Sequence, residues 1–341
     1  AYEIGVRLVG SEMCIRDRYG GSGLDRFSAS LIFEALAMAC PSVGSFLTIH
    51  NMCGGMIDKF GSDELKEKWL PKLCTMETIF SYCLSEPDSG SDAASLKTKA
   101  SKTNQGYSLT GTKSFISGGG YSDAYIIMTR TGKTGPKGIS AFIVKDKSDG
   151  LSFGTPEDKM GWRSQPTAQV QMDDCLVPFD NMLGEEGLGF SYAMSGLDGG
   201  RINIAASALG GAQSALNSTI KYMSEINAFG KKLNQFQALQ FKLADLETDM
   251  QVARTFLRQS AWKLDNNAND STKFCAMAKR FVTDVSFNVA NECLQLHGGY
   301  GYLSDYGIEK IVRDLRVHQI LEGTNEIMRM IISRTLIDEN T

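Results

Sequence analysis

Residues 239–264, LQFKLADLETDMQVARTFLRQSAWKL, place Leu239, Leu243, Leu246, Met250, Ala253, Leu257, Ala261 and Leu264 at intervals of three and four. That interval sets all of them on one stripe of a helix. A striped helix this long cannot bury its apolar face alone, so it predicts helical partners. From Gly189 onward the chain reads as three or four long helical segments split near AFGKKLNQ, DNNANDS and HGGYG, which predicts an antiparallel bundle over 189–341. Upstream, from Ser28 to about Cys74, the pattern is helical again in SLIFEALAMAC, VGSFLTIHNMCGGMIDKF and SDELKEKWLPKLC. Ser62 can cap the last of these, with Asp63 and Glu64 in its first turn, and Gly61 and Pro71 punctuate it. Between Thr78 and about Leu183 the character changes to short runs, GYSLTGTKSFIS, DAYIIMTR, GISAFIVKD, LSFG and AQVQMDD, separated by Gly, Pro, Asp and Lys clusters. The predicted class is α+β, mainly α: a helical domain at 19–78, a β domain at 79–188 and a helical domain at 189–341.

Composition narrows the function. With 341 residues, 42% hydrophobic and 22% charged, the chain can bury more than one domain's core. A net charge of -4 with dispersed Lys and Arg offers no field for nucleic acid. Eight cysteines without a CxxC pair and only three histidines predict reduced thiols and no metal site. The most apolar region, Leu31 to Ile57, is interrupted by Glu34, Pro41, His50 and Asn51, so it reads as core and not as a membrane span. Residues 1–18, AYEIGVRLVGSEMCIRDR, have the pattern of neither a transit peptide nor a signal peptide, and read as an unrelated, artefactual segment in the manner of translated adapter sequence.

Four motifs and one carboxylate could carry chemistry. SYCLSEPDSGSD, Ser81 to Asp92, joins small residues and hydroxyls that can approach carbonyl or phosphate oxygens, though taken alone a plain polar loop is the favoured reading. Phe115-Ile116-Ser117 runs into three glycines, a strand entering a turn. In LDGGRINIAA, Asp198 and Arg201 lie three apart on a helix, where a local ion pair is the simpler reading. In LQLHGGYGY the glycines serve a helix C-terminus as readily as a ligand loop. No GxGxxG follows a strand, so a Rossmann fold has no support. In HQILEGTNEI, Glu322 stands between an apolar pair and a glycine just before a predicted helix, where the helix dipole favours its charged form.

In this order, and with IHNMCGGMIDKFG, GSDAASLKT, GWRSQPT, GGRINIA, LHGGYGYLSDY and RVHQILEGTNEIMR, the motifs resemble the acyl-CoA dehydrogenase family from Tyr19 to the end. Several look particular to its branch acting on short branched acyl-CoA thioesters. The resemblance implies an N-terminal helical domain, here truncated, a middle β-barrel-like domain and a C-terminal four-helix bundle. It implies α,β-dehydrogenation of isobutyryl-CoA to methacrylyl-CoA in valine breakdown, with FAD as cofactor, an electron-transfer flavoprotein as acceptor and a homotetramer. The compartment it implies is the mitochondrial matrix for a eukaryotic source and the cytoplasm for a bacterial one.

Carried over residue by residue, the resemblance makes Glu322 the catalytic base and Gly323 a holder of the thioester carbonyl. Ser91, Asp198, Arg201 and Arg334 become further substrate contacts. Flavin contacts fall on Tyr82, Cys83, Leu84, Ser85 and Ser91; on Phe115, Ile116 and Ser117; on Phe236 and Gln237; on His297, Gly298, Gly299, Tyr300 and Gly301; and on Thr324, Asn325 and Glu326. Ile226 stands where relatives carry an arginine for the flavin pyrophosphate, with Lys231 and Lys232 nearby as substitutes, and relatives begin with further helices before GGSGL. A short-chain or 2-methylbutyryl-CoA dehydrogenase is the nearest alternative, because one methylene changes binding by only about 1–3 kcal/mol. A non-catalytic scaffold or assembly protein of the same fold is the alternative from another class. An acyl-CoA oxidase is a third, disfavoured by the absence of an extra C-terminal domain.

Overall fold

A computed structural model describes residues 15–341. In chain order the helices are α1 Arg26–Ala39, α2 Pro41–Phe60, α3 Asp63–Cys74, α4 Gly189–Glu225, α5 Gln237–Asp265, α6 Ser271–Leu296, α7 Ile308–Arg316 and α8 Asn325–Asp338. The strands are β1 Phe80–Cys83, β2 Lys99–Lys102, β3 Tyr107–Ser117, β4 Ala124–Arg130, β5 Ile139–Lys145, β6 Leu151–Phe153, β7 Thr167–Val177 and β8 Met182–Leu183, with a small hairpin, β9 Asn227–Ala228 and β10 Lys231–Lys232. Helices, then strands, then helices is the order read from the periodicities. Two compact units form: the first comprises Ala1–Asp25, Phe46–Asp158 and Ser164–Gly200, the second Arg26–Ser45, Lys159–Arg163 and Arg201–Thr341. Up to residue 14, the segment expected to be unrelated lies outside the described residues.

The first unit is built on one sheet, ordered β6-β7-β3-β2-β4-β5-β8, with β1 parallel to β4. β4 is buried on both faces, which is why AYIIMTR reads as a continuous apolar run and not as an alternation. Tyr125 and Ile127 join Leu109, Phe142 and Val170 on one side. Ala124, Ile126 and Met128 join Met52, Ile57, Trp69 and Leu73 from α2 and α3 on the other. Ile15 is fully buried in that second cluster, and Arg16 bonds the Asp58 carboxylate at 2.8 Å. Ser62 caps α3 by accepting from the Leu65 N–H, as expected. Pro71, expected to punctuate, sits inside the last turn of α3. Its missing N–H removes one intrahelical bond close to the end, where the loss is small.

Buried charge organises the loop after β1. Lys113 of β3, fully buried, donates to Glu86 Oε1 at 2.8 Å and to the Leu84 carbonyl at 3.0 Å. The other bonds to the Glu86 carboxylate come from the backbone: Thr98 N–H at 2.9 Å and Lys97 N–H at 2.6 Å. Burial holds the Lys113 ammonium below its usual value, against the pull of Glu86. For Glu86, burial is outweighed by Lys113 and by the bonds from Thr98 and Lys97, and the carboxyl stays below the usual range.

In the second unit the 239–264 stripe is real but graded. Leu246, Met250, Ala253, Leu257 and Ala261 are buried, while Leu239, Leu243 and Leu264 are only half-buried. Glu34 of α1 accepts from Arg254 at 2.9 Å and from Arg258, both on α5. Gly210 lets α4 approach α1, since a Cβ there would stand 2.1 Å from the Glu34 carbonyl oxygen. Asp265 accepts from the N–H groups of Arg26 and Phe27 at 2.7 and 2.9 Å, tying the start of α1 to the end of α5. No described helix is long and apolar enough to cross a membrane.

Removing one partner of the buried Lys113–Glu86 pair strands the other. Lys113→Met is expected to lower unfolding stability by about 3–5 kcal/mol in urea titrations, and Lys113→Met with Glu86→Gln to recover part of that loss.

Candidate active site

Glu322 sits in the turn that feeds α8. Its own φ is +56° and that of Gly323 is +87°, so two successive residues are left-handed before Thr324 caps the helix by accepting from the Ile327 N–H at 3.3 Å. A non-glycine residue in this conformation is uncommon and clusters at functional sites. The residue as a whole is partly exposed, yet its Oε2 is shielded from solvent and has no hydrogen-bond partner among the described residues. Burial pushes the carboxyl up to about 7, against the opposing pull of Arg201 and Lys279.

The helix dipole was expected to favour the charged form of Glu322. Glu326, the acidic residue in the first turn of α8, has its carboxyl held below its usual value by its own N–H and by Thr324. At Glu322 two buried cations favour the charged form. Arg201, only 4% exposed, comes from α4. Lys279 comes from α6 and donates to the Gly323 carbonyl at 2.8 Å and to Asn325 Oδ1 at 2.9 Å. Burial lowers the Lys279 ammonium to about 7, with Glu322 pulling it back up. The Asn325 amide donates in turn to Asp284 at 2.8 Å and Thr283 at 3.1 Å.

His318, four residues before Glu322, has both ring nitrogens bonded to fixed partners. Its Nε2 accepts from Trp162 Nε1 at 3.2 Å, which leaves Nδ1–H to donate to the Ile204 carbonyl at 3.3 Å. Burial lowers it to about 3, so it is neutral. Trp162 N–H donates to Asp314 at 2.6 Å, and a Cβ on Gly161 would stand 2.3 Å from the Arg313 carbonyl oxygen. The GW pair therefore braces the segment leading to Glu322.

The remaining candidates fall within the two units as follows. In the first unit Tyr82 and Cys83 lie on β1; Leu84 lends its carbonyl to Lys113 and Ser85 its carbonyl to the Ser114 N–H. Ser91 is exposed. On β3, pairing with β7 slips between Lys113 and Ile116, and Phe115, with φ +61°, turns outward to 72% exposure between buried Ser114 and Ile116. Ser117 Oγ accepts from Gln165 at 3.3 Å. Asp198 is half-buried on α4.

In the second unit Phe236 precedes α5, and Gln237, its first residue, is exposed. His297 ends α6, stacked on Tyr222, with Gly298, Gly299 and Tyr300 exposed and Gly301 buried. Thr324 and Asn325 spend their side chains locally, as cap and as Lys279 partner, while Glu326 is exposed and Arg334 is exposed further along α8. Ile226 ends α4 half-buried. Both nearby lysines are engaged, Lys231 over the Phe236 ring and Lys232 on the Ser224 carbonyl.

These residues fit a flavin. A strand that breaks its pairing to expose an aromatic ring offers a flat apolar surface to a planar ligand. Around Gly90, Gly298 and Gly299 a Cβ would meet nothing within 4 Å, leaving room for a ligand against the backbone.

Three family models match along the chain: the acyl-CoA dehydrogenase N-terminal domain over residues 11–77, the middle domain over 81–175 and the C-terminal domain over 187–337. The chain belongs to the acyl-CoA dehydrogenase family. It is 51% identical to the mitochondrial isobutyryl-CoA dehydrogenase of Bos taurus, covering 94% of this chain and 77% of that one. To the Dictyostelium discoideum protein of the same name it is 52% identical, over 94% and 78%. Among solved structures, butyryl-CoA dehydrogenase from Megasphaera elsdenii superposes with a TM-score of 0.94 at 38% identity, over 99% of this chain and 90% of that one. An FAD complex of PigA gives 0.92 at 27%, over 97% and 87%. Like its family, the chain is an FAD-dependent oxidoreductase.

Sequence reasoning missed Lys279. Its signal was a lysine on the same helix face as Cys275, Val282 and Ser286, where a core residue belongs.

The turn at Glu322 disfavours a side chain at position 323. In Gly323→Ala the new Cβ would face a strained φ and stand 2.7 Å from Met328 Cε. The variant is expected to lose about 1–3 kcal/mol, read as a lowered Tm in thermal unfolding.

Proposed function

We propose that this acyl-CoA dehydrogenase converts isobutyryl-CoA to methacrylyl-CoA, with Glu322 removing the proton next to the thioester carbonyl. The observation that carries the reading is the Glu322 carboxylate: out of water, without a hydrogen-bond partner on Oε2 among the described residues, and pushed up to about 7. A base must be ionised when substrate arrives and must keep the proton afterwards, and a pKa near the working pH serves both. Arg201 and Lys279 keep the ionised form accessible in the free protein. An apolar acyl chain entering beside the carboxylate would exclude more water and raise its proton affinity.

FAD, when bound, supplies the acceptor for the hydride that leaves the neighbouring carbon. Tyr82 to Ser85, Ser91 and Phe115 to Ser117 of the first unit would hold it, while among Phe236, Gln237, His297 to Gly301 and Thr324 to Glu326 several are proposed to contact the cofactor of a neighbouring subunit. Proton to Glu322 and hydride to flavin together leave a carbon–carbon double bond conjugated with the thioester. Gly323, Ser91, Asp198, Arg201 and Arg334 are the proposed thioester and CoA contacts.

Isobutyryl-CoA is favoured over other short acyl groups by the 51% and 52% identity to isobutyryl-CoA dehydrogenases, above the 39% to a short-chain-specific relative from Clostridium acetobutylicum. Both higher-identity relatives are mitochondrial, which supports a matrix location and a place in valine breakdown. A structure of an electron-transferring flavoprotein system from Acidaminococcus fermentans, matched at TM-score 0.93, supports such a protein as electron acceptor. Phe229 and Tyr302, 96% and 82% exposed near the proposed flavin residues of the second unit, support a partner subunit and a tetramer.

The test is anaerobic addition of isobutyryl-CoA to FAD-loaded protein, followed by flavin absorbance. The parent is expected to bleach and Glu322→Gln to bleach about 10²–10⁴ times more slowly. Equal rates would remove Glu322 as base, and faster bleaching with butyryl- or 2-methylbutyryl-CoA would reassign the acyl group. Because the carboxyl is raised to about 7 and acts ionised, the parent's bleaching rate at low substrate should fall as pH drops through about 7.

A further inference from the structure

Lys279 is fully buried on α6, among Cys275, Ala276, Ala278 and Val282. A methionine would fill such a place without desolvating a charge. The ammonium instead makes two directed bonds, to the Gly323 carbonyl at 2.8 Å and to Asn325 Oδ1 at 2.9 Å. Both acceptors lie within three residues of the base, and Gly323 is the second of the two left-handed residues that turn the chain there. Asn325 is held from behind by Asp284 and Thr283, so it cannot swing away to follow the loop. The charged groups facing Lys279 are Glu322 from the turn, Glu326 from α8, Asp284 from its own helix and Arg201 from α4, with neutral His318 beside it.

We propose that Lys279 is the positioning residue of the base: its ammonium fixes the left-handed turn that aims Glu322 and supplies a buried positive charge to the carboxylate. The inference rests on the reading of Glu322 as proton acceptor. A cation facing a carboxylate favours the ionised form, so its loss makes the carboxylate hold a proton to higher pH. A lysine that merely fills the core would leave that titration unchanged.

Protonation of Glu322 is read directly as the infrared carboxyl band present in the parent and missing from Glu322→Gln, titrated in FAD-loaded protein without substrate. The parent midpoint is expected near 7. In Lys279→Met it should rise by about one pH unit, and the acid limb of flavin reduction should move with it. Lys279→Arg, which keeps charge and donors, should not rise above the parent. Should Lys279→Met fail to fold, Lys279→Gln, which keeps a donor without the charge, takes its place with the same expected rise. An unchanged midpoint in the folded uncharged variant overturns the proposal, as does a rise in Lys279→Arg equal to that of the uncharged variant. Glu322→Gln bleaching at the parental rate would remove the base reading itself, and the infrared midpoints would still decide the role of Lys279.

Discussion

The site depends on a carboxylate kept away from water. Desolvation alone would leave Glu322 protonated and inert at neutral pH, while full pairing with Arg201 or Lys279 would leave it ionised but a poor proton acceptor. The structure sits between these limits. Burial raises the carboxyl, two cations lower it, and the result is a group near 7 that can exist in either state. Much of the second unit serves this balance: α4 brings Arg201, α6 brings Lys279, and the Trp162–His318–Ile204 chain braces the segment before the turn.

The first unit meets a different constraint, that of exposing a loop and an aromatic side chain without losing the sheet. The Lys113–Glu86 pair anchors the loop after β1 from beneath, so Pro87, Asp88, Gly90 and Ser91 can be exposed while Glu86 and Ser89 stay buried. The bulge on β3 then turns Phe115 out of a strand whose neighbouring residues remain in the core. In each unit a buried lysine donates to a loop carbonyl, Lys113 to Leu84 and Lys279 to Gly323.

Periodicity carried most of the architecture. The 239–264 stripe, the capped start of α3 and the change to short β runs after Thr78 were legible because burial of one face imposes a spacing on sequence. β4 was visible as a run but its burial on both faces was not, since that depends on which elements pack against it. For the site, Glu322 was legible through its motif, whereas the reason for its raised proton affinity was not. Helix-dipole reasoning pointed to the carboxylate near a helix start, but gave no sign of the burial that raises it. The groups that act on Glu322 come from positions 43 and 121 residues earlier, and such distances leave no local pattern. Lys279 in particular sat on an apolar helix face where the pattern called for core.

With Glu322 as base, the proton leaves the carbon next to the thioester carbonyl in the step that reduces the flavin. The most direct measurement is the anaerobic rate of flavin bleaching with isobutyryl-CoA deuterated at that carbon, set against the undeuterated thioester. A rate several-fold slower with deuterium is the expected result. Bleaching at the same rate with both, under conditions where reduction itself is the slow step, would contradict proton transfer to Glu322 as part of the reaction.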